Sequence, residues 1–184
     1  MIFSRFGRGA RPNTISALYG MIVAQARLPC FYRDYTVADT VNGRFDLIVL
    51  HLALVLDRLM PESGLKSLGQ GLFDRFCQDM DDNLREMGVG DLKVPKEMRR
   101  MGEAFYGRAQ AYRAALSAAD QGQALVAAVA RNIYGGASVS PAAVGRMAAY
   151  IRAAVRDLKG QDTASLAAGT LRFPDPATIP AATG

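Results

Sequence analysis

The sequence predicts an all-α fold: a single compact helical domain of six or seven helices packed around one central apolar helix. Three observations carry that expectation. Apolar residues recur at intervals of three and four through most of the chain, while no stretch of five or more residues alternates strictly between apolar and polar. Helix caps and stops, among them Asn13, Pro61 to Gly64, Gly88, Pro95, Gly135-Gly136 and Ser140-Pro141, fall at the joints between the periodic stretches. The 184 residues, 50% of them hydrophobic, suffice for one substantial core. Yet the longest apolar runs, Leu47 to Leu50 and Leu52 to Leu56, are split by His51 and fall well short of the roughly 18 residues of a membrane span.

The elements follow in order. Pro12-Asn13 precedes Ile15, Leu18, Met21, Ile22 and Gln25, so an asparagine cap opens a helix over Thr14 to Ala26. Leu28-Pro29 stops it, because proline disfavours helical geometry in the residue before it. Phe31, Tyr32 and Tyr35 read as a short extended stretch. Asp39 or Asn42 then caps a helix through Phe45, Leu47, Ile48, Leu52, Val55, Leu56 and Leu59, and a helix apolar almost all round belongs at the centre of a domain. Leu65, Leu68, Leu72, Phe76, Met80, Leu84 and Met87 form the next core-facing face, closed by Gly88 in a left-handed conformation. Beyond a connector, Pro95 opens a helix with Met98, Met101, Phe105, Ala109, Tyr112 and Leu116 inward. Asp120 caps a segment containing Leu125, Val126, Val129 and Ile133. Ser140-Pro141 starts a last strong helix with Val144, Met147, Ile151, Ala154 and Leu158 on its inner side. Residues 1–12 are expected to be a flexible basic arm and 13–160 the helical domain. In 161–184, Asp162 caps a short helical turn and a proline-containing tail is mobile from about Thr170.

Charge is distributed unevenly. Residues 1–33 hold Arg5, Arg8, Arg11, Arg27 and Arg33 and no carboxylate, whereas residues 34–184 carry 17 basic and 17 acidic side chains. From Asp34 to Leu92 there are 5 basic and 11 acidic residues, and from Lys93 onward 12 and 6, so the body has an acidic middle and a basic C-terminal half. Such a surface suits RNA, anionic lipid or an acidic protein, and charge alone does not choose among them.

No catalytic residue, metal site or cofactor is expected. Cys30 and Cys77 stand 47 residues apart with His51 the single histidine, too few ligands for a zinc site without carboxylate help, and the thiols read as reduced. His51, flanked by Leu50 and Leu52, reads as a core histidine bonded to a neighbour. Asp81 and Asp82 point about 100° apart on a helix and so form no acid–base pair. Gly135-Gly136 lacks the preceding strand, lysine and hydroxyl of a phosphate loop. Two features stand out from this background. Val89, Leu92 and Val94 place apolar side chains in a connector where polar turn residues are expected; they either dock on the domain's own core or line an exposed groove. Met80, Met87, Met98 and Met101 flank that connector, and methionine serves both as core filler and as an adaptable apolar surface.

The run Leu84-Arg85-Glu86-Met87-Gly88-Val89-Gly90-Asp91-Leu92-Lys93-Val94-Pro95-Lys96, with Met101 and Ala104-Phe105-Tyr106-Gly107-Arg108 beyond it, closely resembles the ubiquinol-cytochrome c chaperone family. A looser likeness runs from Ala17-Leu18-Tyr19 through Ala24-Gln25-Ala26-Arg27 to Leu116 and on to Lys159. The resemblance implies an assembly factor for respiratory complex III that holds newly made cytochrome b. In mitochondrial members it also implies a small partner protein and a contact with the ribosome near its exit tunnel. The long mitochondrial presequence is absent, so the expectation is a bacterial relative, of alphaproteobacterial type. It would sit in the cytoplasm, with a peripheral position on the inner membrane as the alternative and no DNA partner. A holdase needs an apolar surface framed by polar residues; covering ~400 Å² of client would be worth roughly 10 kcal/mol before association costs. Leu92, Val94, Met98 and Tyr106 are the expected client-binding face, with Lys93, Lys96, Arg99 and Arg100 as its basic edge. A soluble helical carrier of a lipid or quinone-like molecule, which would require an enclosed cavity, is the second reading. A ribosome- or nucleic-acid-binding module, without aromatic platforms among its charges, is the third.

Overall fold

A computed structural model describes residues 12–120, 122–136 and 139–180. Its elements are α1 (Pro12–Ala26), α2 (Pro29–Arg33), α3 (Val41–Leu59), α4 (Lys66–Glu86), α5 (Val94–Ser117), α6 (Gln123–Asn132), α7 (Pro141–Gly160) and α8 (Thr163–Ala167), then one 3-10 turn (Pro176–Thr178). Among the described residues there is no strand. The basic arm lies outside the described residues except for Pro12, the first residue of α1.

Helix α3 is the axis of the fold. Leu47 to Val55 are all buried, and α1, α4, α5 and α7 pack around it, as a helix without a polar face requires. Three starts follow their side-chain chemistry. Ser140 Oγ accepts from Ala143 N–H ahead of Pro141, Asp162 accepts from Ser165 N–H, and Asp120 accepts from Gly122 and Ala124 N–H at the head of α6. Other details differ from the sequence reading. The cap of α3 is Thr40, whose hydroxyl accepts from Gly43 N–H, and not Asp39 or Asn42. Asn13 sits inside α1. The stretch after Pro29 is helical, not extended, because a proline that ends one helix through its predecessor is also pre-shaped for the first position of the next.

The C-terminal tail departs most from expectation. Instead of hanging free from Thr170, it lies on the body, with Leu171 and Pro176 buried. Prolines remove its amide donors but leave its carbonyls, and body side chains reach out to these. Gln25 donates to Pro174 O (3.1 Å), Tyr35 to Pro176 O (2.7 Å) and Arg146 to Ile179 O (2.9 Å). The Phe173 ring meets His51 edge-on, with centroids 5.1 Å apart.

His51 is the centre of a buried polar chain. Its Nδ1 faces the carbonyl of Leu47 at 2.7 Å, and because a carbonyl only accepts, Nδ1 carries the proton. Nε2 therefore accepts from the Tyr150 hydroxyl at 2.8 Å, which in turn accepts from the Gln25 amide at 3.0 Å. One chain of bonds thus ties α1, α3, α7 and the tail. Burial pushes the imidazole down to about 4, with the Leu47 carbonyl opposing, so the ring is neutral at pH 7.

Candidate interaction surface on the fifth helix

The connector between α4 and α5 is tightly built. Gly88 has φ +80° and closes α4 with two bonds, its own N–H to Arg85 O (2.9 Å) and Val89 N–H to Leu84 O (3.0 Å), the pairing of a Schellman motif. Gly90 O then accepts from Lys93 N–H (2.7 Å) and Val94 N–H (3.3 Å), and Asp91 bridges back to Arg85 at 2.5 Å. Leu92 sits at the crest of this turn, 98% exposed.

The four apolar residues expected to share a face take four different positions. Val94 is 1% exposed, which corrects its assignment to an open surface: as the first residue of α5 its side chain plugs the base of the connector. Met98 is half-buried on the core-facing seam, one heptad before Phe105. Tyr106, 62% exposed, follows Phe105 by one residue and so turns about 100° away from the core. Twelve residues of helix separate it from Val94, about 18 Å at 1.5 Å per residue, so Leu92 and Tyr106 belong to different surfaces. The basic residues divide likewise: Lys93 and Lys96 lie near the connector, while Arg99 stands two turns below Tyr106 on the same face. All four cations are exposed, and Arg100 pairs with Glu97 at 3.0 Å.

Around Tyr106 the structure gathers an aromatic cluster that the periodicity did not reveal. The rings of Phe73 and Phe105 lie 5.5 and 5.6 Å from that of Tyr106, and Phe76 and Phe45 continue the series inward. Phe73 and Phe76 are three apart on α4, so the pair was visible in the sequence; what they faced was not. Two glycines of α5, Gly102 and Gly107, flank Tyr106, and a β-carbon at either would meet nothing within 4 Å. Mid-helix glycine costs about 1 kcal/mol relative to alanine, and nothing inside the chain requires it here.

On the other flank of α5 an open groove of about 580 Å³ runs past Val41, Phe45, Arg100, Met101 and Ile133. At its floor Arg108 Nη2 meets Asp46 Oδ1 at 2.7 Å, with the guanidinium 5.7 Å above the Phe45 ring. Burial outweighs the arginine and pushes the Asp46 carboxyl up to about 6. Cys30 and Cys77 are free thiols, the first buried and the second partly buried. Among the described residues no helix is long and apolar enough to cross a membrane.

A helical scaffold with an aromatic flank and an open, mixed groove on one long helix offers surface of the kind a protein partner can cover. The comparisons place it further. The ubiquinol-cytochrome C chaperone family model matches residues 33–173, and the chain belongs to that family. The crystal structure of the Cbp3 homolog from Brucella abortus is similar over 93% of this chain and 94% of that one, with 38% identity and a TM-score of 0.84. No curated protein matches significantly.

Proposed function

We propose that this protein is a holding chaperone for newly made cytochrome b during assembly of respiratory complex III, and that the client rests on the flank of α5 that carries Tyr106. Family membership supports the chaperone role. The observation that favours this flank is the exposed Tyr106 ring, backed by Phe73 and Phe105 and bordered by Gly102 and Gly107. Aromatic rings held rigid by one another lose little entropy on binding, and bare glycines let a partner backbone approach closely. Met98 extends the apolar seam, and Arg99 and Arg100 frame it with charge that keeps the carrier in solution. The groove beside α5 is open-sided, which suits a bound polypeptide better than the enclosed lipid of the carrier reading.

The test is affinity capture of the tagged protein from membranes of its own organism, with cytochrome b scored by mass spectrometry. Tyr106→Asp should lose the client while circular dichroism and thermal melting stay near wild type, because an exposed side chain contributes little to the fold. Undiminished recovery of cytochrome b from Tyr106→Asp would remove this flank from the interface. Failure of the wild type to recover it would remove the client.

A further inference from the structure

We infer that the α4–α5 connector is an anchor for an anionic lipid surface, with Leu92 as the inserting side chain and Lys93 and Lys96 as the headgroup contacts. This does not depend on which protein the chaperone holds. Leu92 is 98% exposed on a turn that is anything but slack. The Gly88 closure, the bonds from Lys93 and Val94 to Gly90 O, the buried Val94 and the Arg85–Asp91 bridge all hold the crest in place. An apolar side chain presented outward by so many constraints is one the fold displays.

Its surroundings select the occupant. Met87, 54% exposed, is the other large apolar side chain displayed on the same connector. A single projecting leucine beside one methionine is too small and too convex to form the centre of a protein interface, which needs a packed, desolvated core. A fluid bilayer interface imposes no such shape requirement. Residues 92–96 set Lys93 and Lys96 directly beside the leucine with no carboxylate among them. Asp91 is spent on Arg85, and Lys93 and Lys96 make no ion pair among the described residues. Long cationic side chains around a lone apolar tip match anionic headgroups over hydrocarbon, since each basic residue near such a surface raises partitioning about fivefold. Shallow, reversible attachment follows, consistent with a chain in which no described helix spans a bilayer.

Vesicle co-sedimentation of the full chain tests this. At low salt the protein should bind vesicles containing phosphatidylglycerol and not vesicles of phosphatidylcholine alone. Leu92→Asp should weaken binding at least fivefold and Lys93→Glu with Lys96→Glu at least tenfold, with melting temperatures unchanged and with wild-type binding lost at high salt. Absence of binding to anionic vesicles overturns the proposal. Binding that survives both variants overturns it too, and if such binding falls on deletion of residues 1–11 the attachment belongs to the basic arm. Loss in the charge variant with full retention in Leu92→Asp would leave a surface that reads phosphate only, as an RNA site would, and would also overturn it. Cytochrome b capture by Leu92→Asp from detergent extracts separates this surface from the client flank, since it should match wild type.

Discussion

Gly88 has open space where a side chain would sit, so its requirement is purely conformational. The φ of +80° is available to glycine at no cost and strains any β-branched residue, so Gly88→Val should destabilise by roughly 1 kcal/mol or more. An unchanged midpoint in urea unfolding would count against the cap. Two residues of the same connector give a sharper contrast. Val94→Asp places a carboxylate where 1% of the side chain is exposed and should cost about 3 kcal/mol or more, while Leu92→Asp should stay within about 0.5 kcal/mol of wild type. Equal melting temperatures for the two variants would contradict the placement of Val94. From sequence these residues were equivalent, two apolar side chains in a glycine-containing loop. Only the turn that carries one outward and the helix start that carries the other inward tells them apart.

At the scale of elements, long helices were legible because their burial pattern repeats every turn: α3, α4 and α7 show their inner faces in any window of the sequence. The Ser140 and Asp162 caps and the Gly88 stop were legible too, since each depends on local chemistry. What could not be read was anything fixed by a distant partner. The tail has no periodicity, yet Gln25, Tyr35 and Arg146, more than 30 residues away from their acceptors, hold its carbonyls. The aromatic cluster behind Tyr106 needs α4 and α5 side by side before Phe73 acquires a partner. The motif Ala104-Phe105-Tyr106-Gly107-Arg108 carried the family likeness, but its parts diverge in space, with Phe105 to the core, Tyr106 to solvent and Arg108 to Asp46. A chain ended after Thr170 tests the tail's place in the fold. It loses buried Leu171 and Pro176 and the Phe173 ring on His51, and should be less stable by roughly 3 kcal/mol or more in urea. A truncated protein as stable as the full chain would show the tail to be an ornament on a complete domain.

Over the whole molecule, one partly buried and one fully buried ionisable group tilt the pH dependence of stability in opposite directions. Asp46, pushed up to about 6, binds its proton more readily folded than unfolded, so it favours the fold as pH drops from about 6 toward the ordinary carboxylate range. His51, pushed down to about 4 from an ordinary 6.5, does the reverse. The unfolded chain binds the proton first, so stability is lost as pH falls from about 6.5 to about 4, by up to about 3 kcal/mol. A stability curve of the wild-type protein alone mixes the two, and the exposed carboxylates with them. The difference between wild type and His51→Gln does not, since every other group is common to both proteins. Near pH 7.5 the wild type should be the more stable, because glutamine cannot hold both the Leu47 carbonyl and the Tyr150 hydroxyl in the geometry of the imidazole ring. As pH is lowered through 6.5 toward 4, that advantage should shrink steadily and the variant should draw level or overtake. Urea unfolding of both proteins at half-unit pH steps measures the gap directly. A gap that stays constant from pH 7.5 to 4 would mean that His51 titrates alike in the folded and unfolded chain. The buried chain from Leu47 through Tyr150 to Gln25 and the tail would then not be what holds it neutral.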